Sequence, residues 1–412
     1  MADIEPPPCP PPLLPPESLH HLCTHGYLGL NLPQHLESQY DHLLATADAF
    51  FALPAETKKL YRPGTGLGPE HRGPPSSATS TERGYTHIDG EKEYLTLRKS
   101  LTHLPPGIYD AAAPLWHDTA HLLYRILSDI GVYLGLEPTA WDSVVADSLE
   151  PSDGVYEEED IRRPEIKEGD QGTLKDNVKD NEHSKTSCKR RRTHPRDDPS
   201  TLLRLFRYEP GGGGAEQHRD LGLLTLCVCW GKGLQVRPRR PPQPVAGSGE
   251  SLPPVPWLDA PRVTVMTGDA LHVLSSYRIP SAQHRVVVDA KDAAHAAAPD
   301  TDTANEPRGS DSVPTESRRS IVFALRPTTV GDIDLAAFGG SGSIEARELF
   351  YNIRRLRVNI NANKETRAAM RAEYDKSRAN GRQRDADAEP SPEKEESKDY
   401  EDTMVGELVG VA

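Results

Sequence analysis

His218 and Asp220 place an imidazole and a carboxylate two residues apart, at the head of the apolar run Leu221 to Trp230. Read as an extended strand, the period of two sends both side chains to one face and turns Arg219 away. Two donors on one face bind a divalent metal when a third converges from elsewhere. The candidate third is His284, in the short strand-like run Ser281 to Val288. Two imidazoles and one carboxylate, with the remaining positions open, form the facial donor set that suits non-haem Fe(II). Nearby alternatives carry less. Cys227 and Cys229 share a strand face and read as small core residues rather than ligands. His272 and Asp269 read as structural, the latter shaping a turn. His87, His103, His117 and His121 show no ligand spacing.

Several elements must hold these groups. Leu202 to Tyr208 partly alternates, and Gly211 to Gly214 follows as a flexible turn. Leu221 to Trp230 is almost wholly apolar, which predicts a strand buried on both faces. Gly233 to Val236, Val263 to Met266 and Ser320 to Leu325 complete a series of short strands at intervals of about 8–12 residues, with turn signals between them. Ala270 to Leu274 follows a Gly268-Asp269 turn within that strand-dense region. Such a pattern predicts a β-sandwich or barrel. Before it, Leu36, Tyr40, Leu43, Leu44, Ala47, Phe50 and Phe51 recur at helical spacing over 34–51, and Pro54 ends that helix. His25 to Leu30, Gly84 to Thr86 and Glu91 to Leu97 read as extended, and Ala55 to Tyr61 as a short basic turn or helix. A longer helix is expected from about Ala112 to Leu134, with Leu115, Leu122, Leu123, Ile126, Leu127, Ile130 and Tyr133 as its stripe. Ser343 to Ser377 reads as helical with a broken stripe.

At 412 residues the chain can bury one large core or two, yet hydrophobic content is 36%, with 38 prolines and 27% charge. A folded core interrupted by disordered inserts is expected. Residues 150–199 are charged and nearly free of aromatics, too poor in apolar area to offset their ordering entropy; 290–315 and 379–402 read the same way. Pro6 to Pro16 is a stiff, polyproline-like lead-in. A net charge of −14 argues against a general binder of nucleic acid or anionic membranes. Lys189 to Arg192 has the form of a nuclear-import patch, but its acidic surroundings favour a solvated charge cluster. Five irregularly spaced cysteines imply no disulfide framework. No apolar run has the length of a membrane span, and the start lacks the order of a signal peptide. A cytoplasmic protein is expected, with a nuclear one as the alternative.

The ordered series of short motifs resembles one family. His25-Gly26-Tyr27 and Phe50 to Lys58 are followed by Leu205-Phe206-Arg207-Tyr208, then His218-Arg219-Asp220 running into Gly222 to Leu226. Gly233 to Val236, Trp257, Gly268 to Leu271, Ser281 to Val286 and Arg318 to Phe323 come next. In this order the chain resembles the Fe(II)- and 2-oxoglutarate-dependent oxygenases of the isopenicillin-N-synthase-like branch, over Pro15–Leu149 and Thr201–Arg326. The resemblance implies an α+β protein: a double-stranded β-helix (jelly-roll) core, a helical N-terminal lobe packed over it, and disordered inserts. The expected divisions are an N-terminal lobe at 15–149, a charged insert at 150–200 and the oxygenase domain at 201–330. A helical segment at 331–378 and an unordered tail at 379–412 complete them.

By the same resemblance His218, Asp220 and His284 are the Fe(II) ligands. Arg318 and Ser320 hold the far carboxylate of 2-oxoglutarate, with Tyr208 as a further contact. The residue chemistry agrees: a guanidinium grips a carboxylate through two donors, a hydroxyl adds one, and on a strand Arg319 faces away from both. The implied reaction couples loss of carbon dioxide from 2-oxoglutarate to hydroxylation, desaturation or ring closure of a small molecule by O2. A monomer is expected, with no nucleic-acid or membrane partner. The alternatives are an oxidase that uses the same triad without 2-oxoglutarate, and a catalytically silent binding protein of this fold. The long inserts before Thr201 and before Arg318 depart from the family's pattern but fall between its motifs.

Overall fold

The computed structural model describes residues 12–62, 83–99, 104–151, 201–210, 214–239, 255–288, 317–355, 358–362, 364–373 and 376. Residues 152–199 and 290–315 of the expected inserts, 6–11 of the polyproline lead-in, the import-like patch and the tail lie outside these residues; the described end of the lead-in is bent at Leu13 and Leu14, and Pro16 opens a helix.

Helix α1 (Pro16–His25) begins on a proline and stops at Gly26, whose φ of +83° is the left-handed position that ends helices. Space adds to the requirement there, because a Cβ would meet Thr267 and Pro280 at 2.9 and 3.0 Å. Strand β1 (Tyr27–Gly29) follows, then α2 (Gln34–Phe51), which spans the predicted residues and buries Leu36, Tyr40, Leu43, Ala47, Phe50 and Phe51 on one face. Next come α3 (Ala55–Lys59), β2 (Gly84–Ile88), β3 (Lys92–Arg98) and α4 (Ile108–Tyr133). Helix α4 starts one turn before the predicted position. Helix α5 (Asp142–Val145) precedes β4 (Leu202–Tyr208), β5 (Ala215–His218), β6 (Leu224–Trp230), β7 (Leu234–Arg237), β8 (Leu258–Asp259) and β9 (Val263–Thr267). Helix α6 (Asp269–Leu274) stands where the sequence suggests more extended chain. All six of its residues are buried, so the run carries no period to betray a helix. Strands β10 (Gln283–Val286), β11 (Arg319–Leu325), β12 (Asp332–Asp334) and β13 (Ser343–Glu345) follow, then α7 (Ala346–Arg355). The helix expected over 343–377 is therefore broken: its first residues are strand, and 358–362 are not helical.

The architecture is mixed helix and antiparallel sheet in three layers. The major sheet has seven strands in the order β1-β9-β6-β11-β4-β3-β2, and the minor sheet four in the order β5-β10-β7-β8. Alternation divides the major sheet's side chains. One face carries Leu95, Leu97, Leu203, Leu205, Leu226, Val228, Ile321 and Phe323 against α1, α2 and α4. Trp116 of α4 is fully buried there, its ring edge-on to Phe323 at 5.0 Å and its indole N–H donating to the Ser148 carbonyl at 3.1 Å. The other face carries Tyr94, Phe206, Tyr208, Cys227, Cys229 and Met266 against Ala215, Leu234, Val236 and Val286 of the minor sheet. Strand β6 is central in its sheet and covered on both sides, which accounts for its unbroken apolar character. Glu93 fastens the helical layer to the sheet: its buried carboxylate accepts from Lys58 Nζ and the Tyr85 hydroxyl at 2.7 Å each and pairs with Arg207.

Candidate metal centre and the cationic pocket beside it

His218 closes β5 and His284 lies opposite it on β10, as directly paired residues of the minor sheet. Their rings are 4.1 Å apart between centroids. Asp220 lies two residues past the end of β5, in the loop leading to β6, so its position comes from loop geometry and not from strand alternation. That loop is tied down by its backbone. The Asp220 carbonyl accepts from Asp269 N at 2.8 Å, the Gly222 carbonyl from Ala270 N at 3.1 Å, and the Leu223 carbonyl from Gly268 N at 2.9 Å. Gly268 and Gly222 permit the approach, since a Cβ on Gly268 would stand 2.2 Å from the Gly222 oxygen. Arg219 turns away to Asp269, with Nε 3.4 Å from Oδ1.

The three donors converge. Ligand atoms of His218, Asp220 and His284 all lie within 4.8 Å of one another. His218 Nε2 is 3.8 Å from Asp220 Oδ1, and His284 Nε2 is 3.8 Å from Oδ2. Each imidazole turns its Nδ1 to a backbone carbonyl: Glu216 at 2.7 Å for His218 and Ala282 at 3.2 Å for His284. A carbonyl only accepts, so Nδ1 carries the proton and Nε2 is the ring nitrogen turned to the carboxylate side. Burial, then the neighbouring His284, hold His218 well below the ordinary imidazole value, which keeps the ring neutral. Burial alone would raise the Asp220 carboxyl. The imidazoles of His284 and His218 and the Thr225 hydroxyl outweigh it and hold that group below its ordinary range. A neutral His218 and an ionised Asp220 suit a divalent cation.

The facing major sheet supplies the second half of the site. Ser320 is buried on β11 between Cys229 and Phe206, and Arg318 stands just before that strand. Arg318 donates from Nε to the Lys232 carbonyl at 2.9 Å and from Nη2 to the Cys229 sulfur at 3.3 Å, while its buried Nη1 makes no hydrogen bond. Its guanidinium lies 4.7 Å from the centroid of the Tyr208 ring. Burial pushes the Tyr208 hydroxyl up to about 12, so it stays protonated and can donate. Arg319 points the other way, to an ion pair with Asp48 of α2.

Two groups were not singled out by sequence reasoning. Lys92 of β3 is 1% exposed, with Nζ 5.7 Å from the Phe206 ring and 5.9 Å from that of Tyr208. Burial, aided by Arg204, Arg367 and Arg318 against the opposing pull of Glu91, pushes its ammonium down to about 7. His117 and His121 correct the expectation that they lack ligand spacing. They sit one turn apart on α4, and Glu150 meets both, at 2.8 and 3.0 Å. Their donor atoms form the second close cluster among the described residues, on the surface and away from the sheets. The i, i+4 histidines were the available signal; Glu150 joins them only through the fold.

A curated relative is a 2-oxoglutarate-dependent dioxygenase. That protein, from Gibberella zeae, is 35% identical over 102 residues, covering 23% of this chain and 28% of its own length. The matched segment thus spans under a third of the relative. No family model matches. Among solved structures, the chain is similar to a full-length Neurospora crassa protein in complex with alpha-KG, at 20% identity and a TM-score of 0.47, covering 82% of this chain and 88% of that one. A 2OG-Fe(II) oxygenase family protein from Caulobacter crescentus gives 20% identity and a TM-score of 0.48, with 82% and 92% covered. JOX2 in complex with 2OG, Fe and JA gives 16% identity and a TM-score of 0.47, with 85% and 83% covered.

Proposed function

We propose that this chain is an Fe(II)- and 2-oxoglutarate-dependent oxygenase acting on a small organic molecule. The carrying observation is the convergence of His218, Asp220 and His284 with both Nδ1 atoms occupied and both Nε2 atoms turned to one carboxylate. That donor set fits Fe(II), because two imidazoles and one carboxylate hold it from one side. The fit for 2-oxoglutarate rests on Arg318, a buried guanidinium whose Nη1 is unused and which, among the described residues, has no carboxylate partner. When bound, iron and 2-oxoglutarate supply the oxidising power: O2 is consumed, 2-oxoglutarate becomes succinate and carbon dioxide, and the substrate is hydroxylated, desaturated or cyclised.

The chain's own part is placement and exclusion of water. His218 and His284 hold the ion through Nε2, and Asp220 through its carboxylate. Arg318 orients the far carboxylate of 2-oxoglutarate, with Ser320 adding a hydroxyl donor and Tyr208 walling the pocket. The apolar residues between the two sheets keep the interior dry, which strengthens the charge contacts within it. In this reading the two sheets form a double-stranded β-helix core over 201–330. The lobe at 15–149 lends β1, β2 and β3 to the major sheet and covers its outer face with helices, and the described residues of 331–378 complete the reading as a helical segment.

Anaerobic titration of the Mn(II)-loaded chain with 2-oxoglutarate, followed by an aerobic assay for succinate with Fe(II), tests the proposal. Saturable binding and iron-dependent succinate are expected. Metal binding without 2-oxoglutarate binding would point to the oxidase alternative, and loss of both to a silent binding protein.

A further inference from the structure

Lys92 is a buried cation on which Glu91 exerts an opposing pull but with which it forms no ion pair. Its Nζ makes no hydrogen bond or ion pair among the described residues, and the Phe206 and Tyr208 rings stand against it. The neighbouring carboxylates are taken. Glu91 is gripped by Arg367 at 2.7 and 3.0 Å, and Glu93 faces the helical layer, bound to Lys58, Tyr85 and Arg207. Two further cations stand on this side, Arg204 at 5.8 Å from the same Phe206 ring and Arg318 at 4.7 Å from that of Tyr208. An unpaired buried ammonium is costly to a fold. A chain that keeps one beside a metal-type donor set has a reason when the counter-charge arrives with a ligand.

Register fixes where that charge would sit. Lys92 pairs with Tyr208 on β4, and Tyr208 N donates to the Arg318 carbonyl at 2.9 Å, so Arg318, Tyr208 and Lys92 form one row across three adjacent strands. Two strand spacings set the backbones of the two cations about 10 Å apart, with the tyrosine between them. Both side chains reach the Tyr208 ring, Nζ at 5.9 Å and the guanidinium at 4.7 Å from its centroid. The row thus offers two cationic anchors: Arg318, which the oxygenase reading gives to 2-oxoglutarate, and Lys92. A single ammonium among aromatic rings matches a monoanion with an apolar body better than a phosphate dianion, which calls for more donors.

We propose that Lys92 anchors a carboxylate of the molecule oxidised at the triad, so that the primary substrate is an organic acid. This rests on the oxygenase reading for the word substrate; the anion site itself does not. The test is calorimetry on the full Mn(II)-loaded chain, with and without saturating 2-oxoglutarate. The probes are aliphatic and aromatic carboxylic acids, each beside its own primary amide. The best acid is expected to bind at least about tenfold tighter than its amide. That preference should shrink to about twofold or less in Lys92→Met and return in Lys92→Arg, while 2-oxoglutarate affinity holds in both. Three results would overturn the inference: no acid preferred over its amide, a preference that survives Lys92→Met, or loss of 2-oxoglutarate affinity in Lys92→Met as large as in Arg318→Met. Failure of wild type to bind 2-oxoglutarate would instead count against the oxygenase reading, because the acid and amide comparison runs without it. Unchanged Mn(II) binding in Lys92→Met shows that the variant is folded.

Discussion

Replacing Lys92 by methionine keeps the length of the side chain and removes its charge, and the protein is expected to become more stable. Burial holds the folded-state ammonium near 7, against an ordinary value of 10.5. A cation whose folded value lies below its unfolded value penalises folding in full at low pH. The penalty is relieved as pH climbs from the folded value toward the unfolded one. At 1.36 kcal/mol per pH unit, the penalty is about 4 kcal/mol at pH 7 and under about 1 kcal/mol at pH 10. The contacts with the Phe206 and Tyr208 rings return about 1 kcal/mol of this at pH 7. Lys92→Met should therefore exceed wild type by roughly 3 kcal/mol at pH 7, with the gap closing by pH 10. Urea denaturation of both proteins at pH 7, 8, 9 and 10 reads it directly, since groups common to both cancel in the difference. A variant less stable than wild type at pH 7, or a gap that does not change with pH, would refute the claim that this ammonium is buried without a counter-ion.

Asp220→Ala should weaken divalent metal binding by about a hundredfold or more, measured by Mn(II) titration, because it removes the one anionic donor of the three. Arg318→Lys should raise the dissociation constant for 2-oxoglutarate by about tenfold, since an ammonium cannot reproduce the two-pronged grip; calorimetry would detect it, and an unchanged value would remove Arg318 from the cosubstrate site. Gly268→Ala forces a methyl to within 2.2 Å of the Gly222 carbonyl oxygen. A loss of about 1–3 kcal/mol in urea denaturation is expected, together with weaker metal binding through the displaced loop. Trp116→Ala empties a fully buried site against Phe323 and should cost about 3–5 kcal/mol, with little effect on metal binding in the protein that remains folded.

Much of this architecture was readable in the chain because it rests on period. Helix α2 declares itself through Leu36, Tyr40, Leu43, Ala47 and Phe50, and β4, β6 and β11 through short apolar runs. Helix α6 was not readable, since a six-residue segment buried all round shows neither period. Helix α1 could have been found from its opening proline and closing Gly26. The donor residues were legible as types, but the reason assigned to Asp220 was wrong. The strand ends at His218, and backbone bonds from the start of α6 hold the loop that follows. Lys92 was invisible for a different reason. In Lys92-Glu93-Tyr94 a lysine reads as the wet side of a strand, and closure of that face by the minor sheet and by the segment carrying Asn361 and Arg367 makes it interior. Long-range closure of that kind leaves no local mark.

The three backbone bonds that tether the 220–223 loop also bear on what happens when the ion departs. A carboxylate on a free loop would swing into solvent on losing its metal and would have to be gathered again at each rebinding. Here the loop is sewn to a buried helix, and both imidazoles are pinned by carbonyls, so on the oxygenase reading the three donors should hold their arrangement without the ion. Exchange of one divalent ion for another should then follow the escape of the ion alone, without a slower step of loop reassembly. Positions 222 and 268, which contribute no side chain to the chemistry, would be among the least free to vary.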